Sequence, residues 1–183
     1  AELLRNRLIV YFEQSTWELA YTGNEVLPFI WQQLNSELGS QSTFSIVGFD
    51  NFSLAIGNTG VNSCNGVNVV RIDDKIPDEI FKIRNINTGV DRVAGIRDYF
   101  NEIVYWTMPI IPTNPQAKWP NRLLIYNYVN KSWAFFDDSI TAFGYFEQQT
   151  GPTWASTPIP WEDLDEEWSA GVQQAQFRQI IAG

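Results

Sequence analysis

Apolar residues in this chain fall in short runs of about four to eight, separated by Gly, Asn, Asp and Pro, which is the pattern of strands and turns. The clearest unit lies between Asp91 and Asp138. It predicts strands at Arg92–Tyr99, Glu102–Met108, Arg122–Tyr128 and Ser132–Phe136, with turns at Phe100-Asn101 and Asn130-Lys131. The proline-rich crossing 109–120 between its second and third strands reads as a surface loop. Four strands joined in sequence make one antiparallel meander. The preceding unit predicts strands at Thr43–Asp50, Phe52–Gly57, Val61–Asn65 and Val67–Asp73. Before it, Arg7–Phe12, Thr16–Tyr21 and Phe29–Leu34 read as the last three strands of another unit, whose first strand is expected upstream of Ala1. Ser139–Phe146 opens a further unit.

These units repeat. An apolar strand with a central glycine recurs at Gly48, Gly95 and Gly144, spacings of 47 and 49 residues. Several short strands within a period of about 40–50 residues are the mark of a β-propeller. Runs such as Val104-Tyr105-Trp106 and Phe135-Phe136 ignore in/out alternation, as expected of sheets covered on both faces. A β-sandwich is the alternative source of such runs. The expected fold is therefore all-β, with antiparallel four-stranded blades of a β-propeller, about three of them and partial at both ends. Residues 1–183 form a single partial domain, with blades near 1–38, 43–74 and 91–138 and the start of the next at 139–183. Gln179–Gly183 reads as the lead-in to another strand, so a segment of a longer polypeptide is expected.

Charge narrows the partners. Twenty-one acidic residues against twelve basic ones give a formal net charge of −9. Such a surface repels phosphate, and the basic residues are scattered, so no specific nucleic-acid binding is expected. A negative wall does suit a conduit through which DNA passes without sticking. No apolar run approaches the roughly 18 residues of a membrane helix, so no membrane segment is expected.

Candidate chemistry is thin. The chain has no histidine and one cysteine, which removes Ser-His-Asp and Cys-His pairs and the usual zinc sites. Cys64 reads as a small buried filler. No cofactor, metal or catalytic residue is expected, and the chain does not read as an enzyme. Asp73, Asp74, Asp78 and Glu79 cluster around Pro77, either as calcium ligands or as a solvated linker between blades. Asp50, Asp98 and Glu102 are the carboxylates a glycoside hydrolase would use, but Asp50 and Asp98 follow the repeat glycines, a position that suits an Asx-turn. The Trp- and acid-rich tail offers Trp161, Asp163, Leu164 and Trp168 as an interface loop, or as side chains capping a blade.

Four stretches carry a resemblance: Arg7–Leu19, Cys64–Pro77, Asn121–Phe135 and Trp161–Asp165, with Asn130-Lys131-Ser132-Trp133 the most specific piece. Together they resemble β-propeller proteins of tailed-bacteriophage virions, the nozzle, stabilisation and muzzle-type proteins at the end of short tails. The resemblance implies a virion tail protein that assembles as a homo-oligomeric ring, commonly of six copies, around the DNA exit channel. It implies contacts with other tail proteins and no catalytic residues. A carbohydrate-binding or glycoside-hydrolase propeller is the alternative function.

Overall fold

Polar turn residues cut the chain into strands, and within each sheet a strand pairs with its neighbour in sequence. The structure is a computed structural model that describes residues 1–5, 7–40, 42–80, 82, 92–110, 119–146 and 178–183. Sheet 1 comprises β1 (Glu2–Leu4), β2 (Arg7–Tyr11), β3 (Thr16–Tyr21) and β4 (Phe29–Asn35). Sheet 2 comprises β5 (Val47–Gly48), β6 (Ser53–Gly57), β7 (Gly60–Cys64) and β8 (Val69–Arg71). Sheet 3 comprises β9 (Ala94–Asp98), β10 (Ile103–Met108), β11 (Arg122–Asn127) and β12 (Ser132–Phe136). Sheet 4 pairs β13 (Phe143–Phe146) with β14 (Gln179–Ala182). All pairs are antiparallel, and each four-stranded sheet keeps sequence order. The fold is all-β, built of the four-stranded meanders that the sequence predicts.

One local device closes the turns. Asn35, Asn65, Asp98 and Asn127 each end a strand or follow one directly. Each uses its side-chain Oδ1 to accept bonds from the backbone N–H groups two and three residues on, at 2.8–3.1 Å. These bonds mimic a backbone turn and favour reversal over extension. Lys131, at φ 57°, completes the β11–β12 turn.

Sheet 2 is the filling of a stack, and every residue of β6 is buried. One of its faces sets Val47, Leu54, Ile56 and Val61 against Val104, Trp106, Met108 and Leu124 of sheet 3. The opposite face sets Cys64 and Val69 against Leu4 and Ile9 of sheet 1. Pleating alternates side chains between faces, so a strand buried at every position belongs between two sheets. Sheet 4 meets sheet 3 where the Tyr145 hydroxyl donates to the Arg97 carbonyl, 2.6 Å away.

Trp106 pins the seam between sheets 2 and 3. Its side chain is fully buried, and its Nε1–H donates to the Ser45 carbonyl at 2.9 Å. Gly95 lies opposite it on β9. A Cβ at Gly95 would sit 2.5 Å from Trp106 Cδ1, 2.6 Å from Nε1 and 2.9 Å from Val47 Cγ2. The strand lacks a side chain there because the indole occupies the space. Ser45 belongs to the crossing from sheet 1 to sheet 2, where buried serines satisfy one another. Ser40 Oγ and Ser45 Oγ are 2.9 Å apart, and Ser42 Oγ donates to the Val93 carbonyl at 2.6 Å. The Arg97 guanidinium fills the same seam, 4.1 Å from the Phe49 ring centroid and 4.4 Å from that of Tyr99.

Four expectations change. The first strand of sheet 1 is Glu2–Leu4, inside the chain, where only three residues leave too little periodicity to detect. Thr43–Asp50 is a short 3-10 turn, Thr43–Ser45, followed by a two-residue strand, because its one serine, Ser45, bonds to the Ser42 carbonyl instead of alternating. The three glycines are not equivalent: Gly48 faces Ser53 at the hairpin end, whereas Gly95 lies three pairs further from its turn. Trp133 is half-buried rather than enclosed, since β12 is an edge strand and its ring packs mainly on Tyr126.

Two substitutions check this packing by chemical denaturation. Gly95→Val should cost about 3 kcal/mol by forcing the indole out of its site. Trp133→Ala should cost about 2 kcal/mol, below the roughly 3–5 kcal/mol of a fully buried aromatic. A Gly95→Val protein as stable as the parent would contradict the seam geometry.

Candidate interaction surface

The interface residues expected from sequence, Trp161, Asp163, Leu164 and Trp168, lie outside the described residues. The acidic candidates are placed as follows. Asp73 is buried and takes two bonds from Arg71, at 3.0 Å to Oδ1 and 2.8 Å to Oδ2. Both of its oxygens serve that ion pair, so neither the solvated-linker reading nor the calcium reading holds for Asp73. Asp74 and Asp78 are exposed, and Pro77–Ile80 is one turn of helix. Among the described residues, no group of three or more His, Cys, Asp or Glu stands close enough to hold a metal ion.

Asp98 is a turn residue. Its Oδ1 accepts from Phe100 N and Asn101 N, and its Oδ2 accepts from Asn101 Nδ2 at 2.8 Å. Glu102 is exposed in the same turn at φ 58°. Asp50 is exposed at the tip of the β5–β6 hairpin, which Phe49 N closes by donating to Phe52 O at 2.8 Å. The three carboxylates thus belong to two hairpin tips.

Sheet 1 supplies the surface that sequence reasoning missed. Its strands alternate between two faces. The inner face is closed against sheet 2. There Glu18, almost fully buried, pairs with Arg7 at 3.1 Å, and Arg7 also donates to the Gly66 carbonyl at 3.3 Å. Tyr11 and Ser53 share a 2.6 Å hydroxyl bond. Burial there pushes the Tyr11 hydroxyl well above its ordinary value and raises the Cys64 thiol above its own.

The outer face carries Leu3, Leu8, Val10, Trp17, Leu19, Tyr21, Phe29 and Trp31, and among the described residues no sheet packs over it. Leu3 is 66% exposed, Tyr21 68%, Phe29 54% and Trp31 55%. Tyr21 and Phe29 touch, with ring centroids 5.5 Å apart. At one end, Phe12, Glu13, Gln14, Ser15, Trp17 and Trp31 line an open cleft of about 720 Å³. Trp17 is held there by its Nε1–H bond to Ser15 Oγ at 3.0 Å and by an edge-on contact with Phe12.

The chain matches no known family model and no curated protein. A contiguous apolar sheet face marks a place where another surface packs. In the sequence the outward positions of β2 and β3, with Phe29 and Trp31 of β4, are apolar, as those of a covered face would be, while the inward ones include Arg7, Thr16 and Glu18.

Asp98 separates turn from catalysis. Asp98→Ala should lower stability by about 1–2 kcal/mol, since two backbone donors lose their acceptor. Asp98→Asn should restore most of it, because an amide oxygen closes the same turn at Asn35, Asn65 and Asn127. Equal losses in urea unfolding for both variants would contradict the turn assignment.

Proposed function

We propose that this chain is a structural component of a bacteriophage tail, a blade-built part of a ring- or nozzle-like assembly at the DNA exit channel or its adaptor. The observation that carries the reading is the stack. Its apolar surface goes into sheet-on-sheet contacts, and among the described residues the outer face of sheet 1 is a further apolar surface with no sheet over it. That is how a scaffold distributes its chemistry. The resemblance of Arg7–Leu19, Cys64–Pro77 and Asn121–Phe135 to virion propeller proteins supports the same reading, as does a net charge of −9, which suits a wall that DNA slides past. Homo-oligomerisation into a ring and contacts with other tail proteins belong to this proposal, as does location in the virion.

A carbohydrate-binding propeller is the second reading, favoured by the Trp17 and Trp31 rings beside Glu13 and Gln14 in the open cleft. Antibody labelling of purified particles, viewed by negative-stain electron microscopy, tests the first. Label at the tail end is the expected result. Particles without label, together with glycan binding that Trp31→Ala abolishes, would overturn it in favour of the second.

A further inference from the structure

Two hairpins of the stack turn on the same four-residue pattern. Asn65-Gly66-Val67-Asn68 joins β7 to β8, and Asn127-Tyr128-Val129-Asn130 carries β11 towards β12. In both, the first asparagine accepts two backbone N–H bonds on Oδ1. Those bonds are 3.0 Å from Val67 N and 2.8 Å from Asn68 N at the first turn, and 3.0 Å from Val129 N and from Asn130 N at the second. The residue after the asparagine differs. Tyr128 has a side chain, and its N–H is committed to the Glu102 carbonyl at 3.3 Å. Gly66 has none, and its N–H rests on the Cys64 sulfur at 3.4 Å, a weak acceptor. Asn65-Gly66 is the only Asn-Gly pair in the sequence, and Asn65 is exposed.

We infer that Asn65 is a site of spontaneous covalent modification, at which the folded turn promotes conversion of the amide to aspartate and isoaspartate. The Gly66 nitrogen attacks Asn65 Cγ, and a C–N bond forms. Its proton passes through water to the amide nitrogen, and ammonia leaves as the Cγ–Nδ2 bond breaks. Water then opens the five-membered imide at either of its carbonyls. As Cγ becomes tetrahedral, negative charge gathers on Oδ1. The N–H groups of Val67 and Asn68 already point at that atom, as the donors of an oxyanion hole do. The attacking residue carries no Cβ to crowd the approach, and glycine adopts the backbone angles of the ring without strain. The reaction consumes only water. Its product sits at the first seam, because Arg7, which pairs with Glu18, also donates to the Gly66 carbonyl at 3.3 Å. Isoaspartate adds a methylene to the backbone just before that carbonyl and moves it off Arg7. Aspartate keeps the turn, since Asp98 closes its own turn with the same pair of bonds. None of this depends on the tail assignment.

Peptide mass mapping of the full chain tests it, on protein aged at neutral and mildly alkaline pH, folded in buffer and unfolded in guanidinium chloride. Folded protein should lose the Asn65 amide at least as fast as the unfolded chain does, and faster at higher pH. It should also lose it at least about tenfold faster than Asn35 or Asn127, a barrier lower by about 1.4 kcal/mol, although both share the two-bond turn. Asn65→Asp should fold normally by circular dichroism and release no ammonia from this position. The isoaspartate fraction, separated by ion exchange, should unfold at lower denaturant than Asn65→Asp. An Asn65 that survives in the folded protein while the unfolded chain loses it overturns the inference, since the turn would then protect the amide. Equal loss at Asn35, Asn65 and Asn127 also overturns it, and so does an Asn65 that persists in both states. An isoaspartate fraction as stable as Asn65→Asp would contradict the link to the seam.

Discussion

Everything in this fold depends on two sheets lying close enough for a tryptophan to span the gap between them. Trp106 leaves β10, crosses the seam and ends at the Ser45 carbonyl of the crossing that feeds sheet 2. An aromatic of this size buries about 150–250 Å² and supplies the largest single apolar contribution available to such a seam. Its N–H is polar, and buried without a partner it would cost about 1–3 kcal/mol. The Ser45 carbonyl removes that cost and fixes the ring's direction. Gly95 removes the steric obstacle on the neighbouring strand.

The rest of the stack follows from that spacing. Sheets packed face to face sit about 10 Å apart, so strands must be apolar on both sides and crossings must be thin. Serine suits the crossing because Ser40, Ser42 and Ser45 are small and carry their own hydrogen-bonding partners. Thr16 extends the same logic at the first seam, donating to the Leu38 carbonyl at 2.7 Å. Polar groups enter the interior where they are satisfied, as Glu18 is by Arg7 and Asp73 by Arg71. The same spacing makes the ends of the stack costly to leave bare. A face that differs little from an interior one remains apolar when no sheet covers it.

Much of this was legible in the chain. In sheet 3 the expected Ser132–Phe136 coincides with β12, Glu102–Met108 and Arg122–Tyr128 each run one residue long and Arg92–Tyr99 three, because the runs are bounded by Asp98, Asn127 and Asn130, whose side chains build the turns. What failed did so for physical reasons. Glu2–Leu4 is too short to show a period. Thr43–Ser45 alternates like a strand, yet its serine prefers a backbone partner. The glycine spacings of 47 and 49 match those between the starts of β5, β9 and β13, although the residues sit in different registers and among the three only Gly95 faces a large ring. Trp133 looked like core from its size, but size does not reveal that a strand lies at an edge. Asp73 looked solvated because acids in linkers usually are. The counter-signal was Arg71 two residues earlier, on the same side of an extended chain. The interaction surface was hidden for the opposite reason: a bare sheet face and a covered one have the same sequence pattern.

Hydrogen exchange at the Trp106 indole N–H tests the seam most directly. The signal is assigned by its absence in Trp106→Phe. If sheets 2 and 3 pack as described, this proton exchanges only when the whole protein unfolds, at the free energy measured by global denaturation. Exchange as fast as that of the exposed Trp31 indole would contradict the stack.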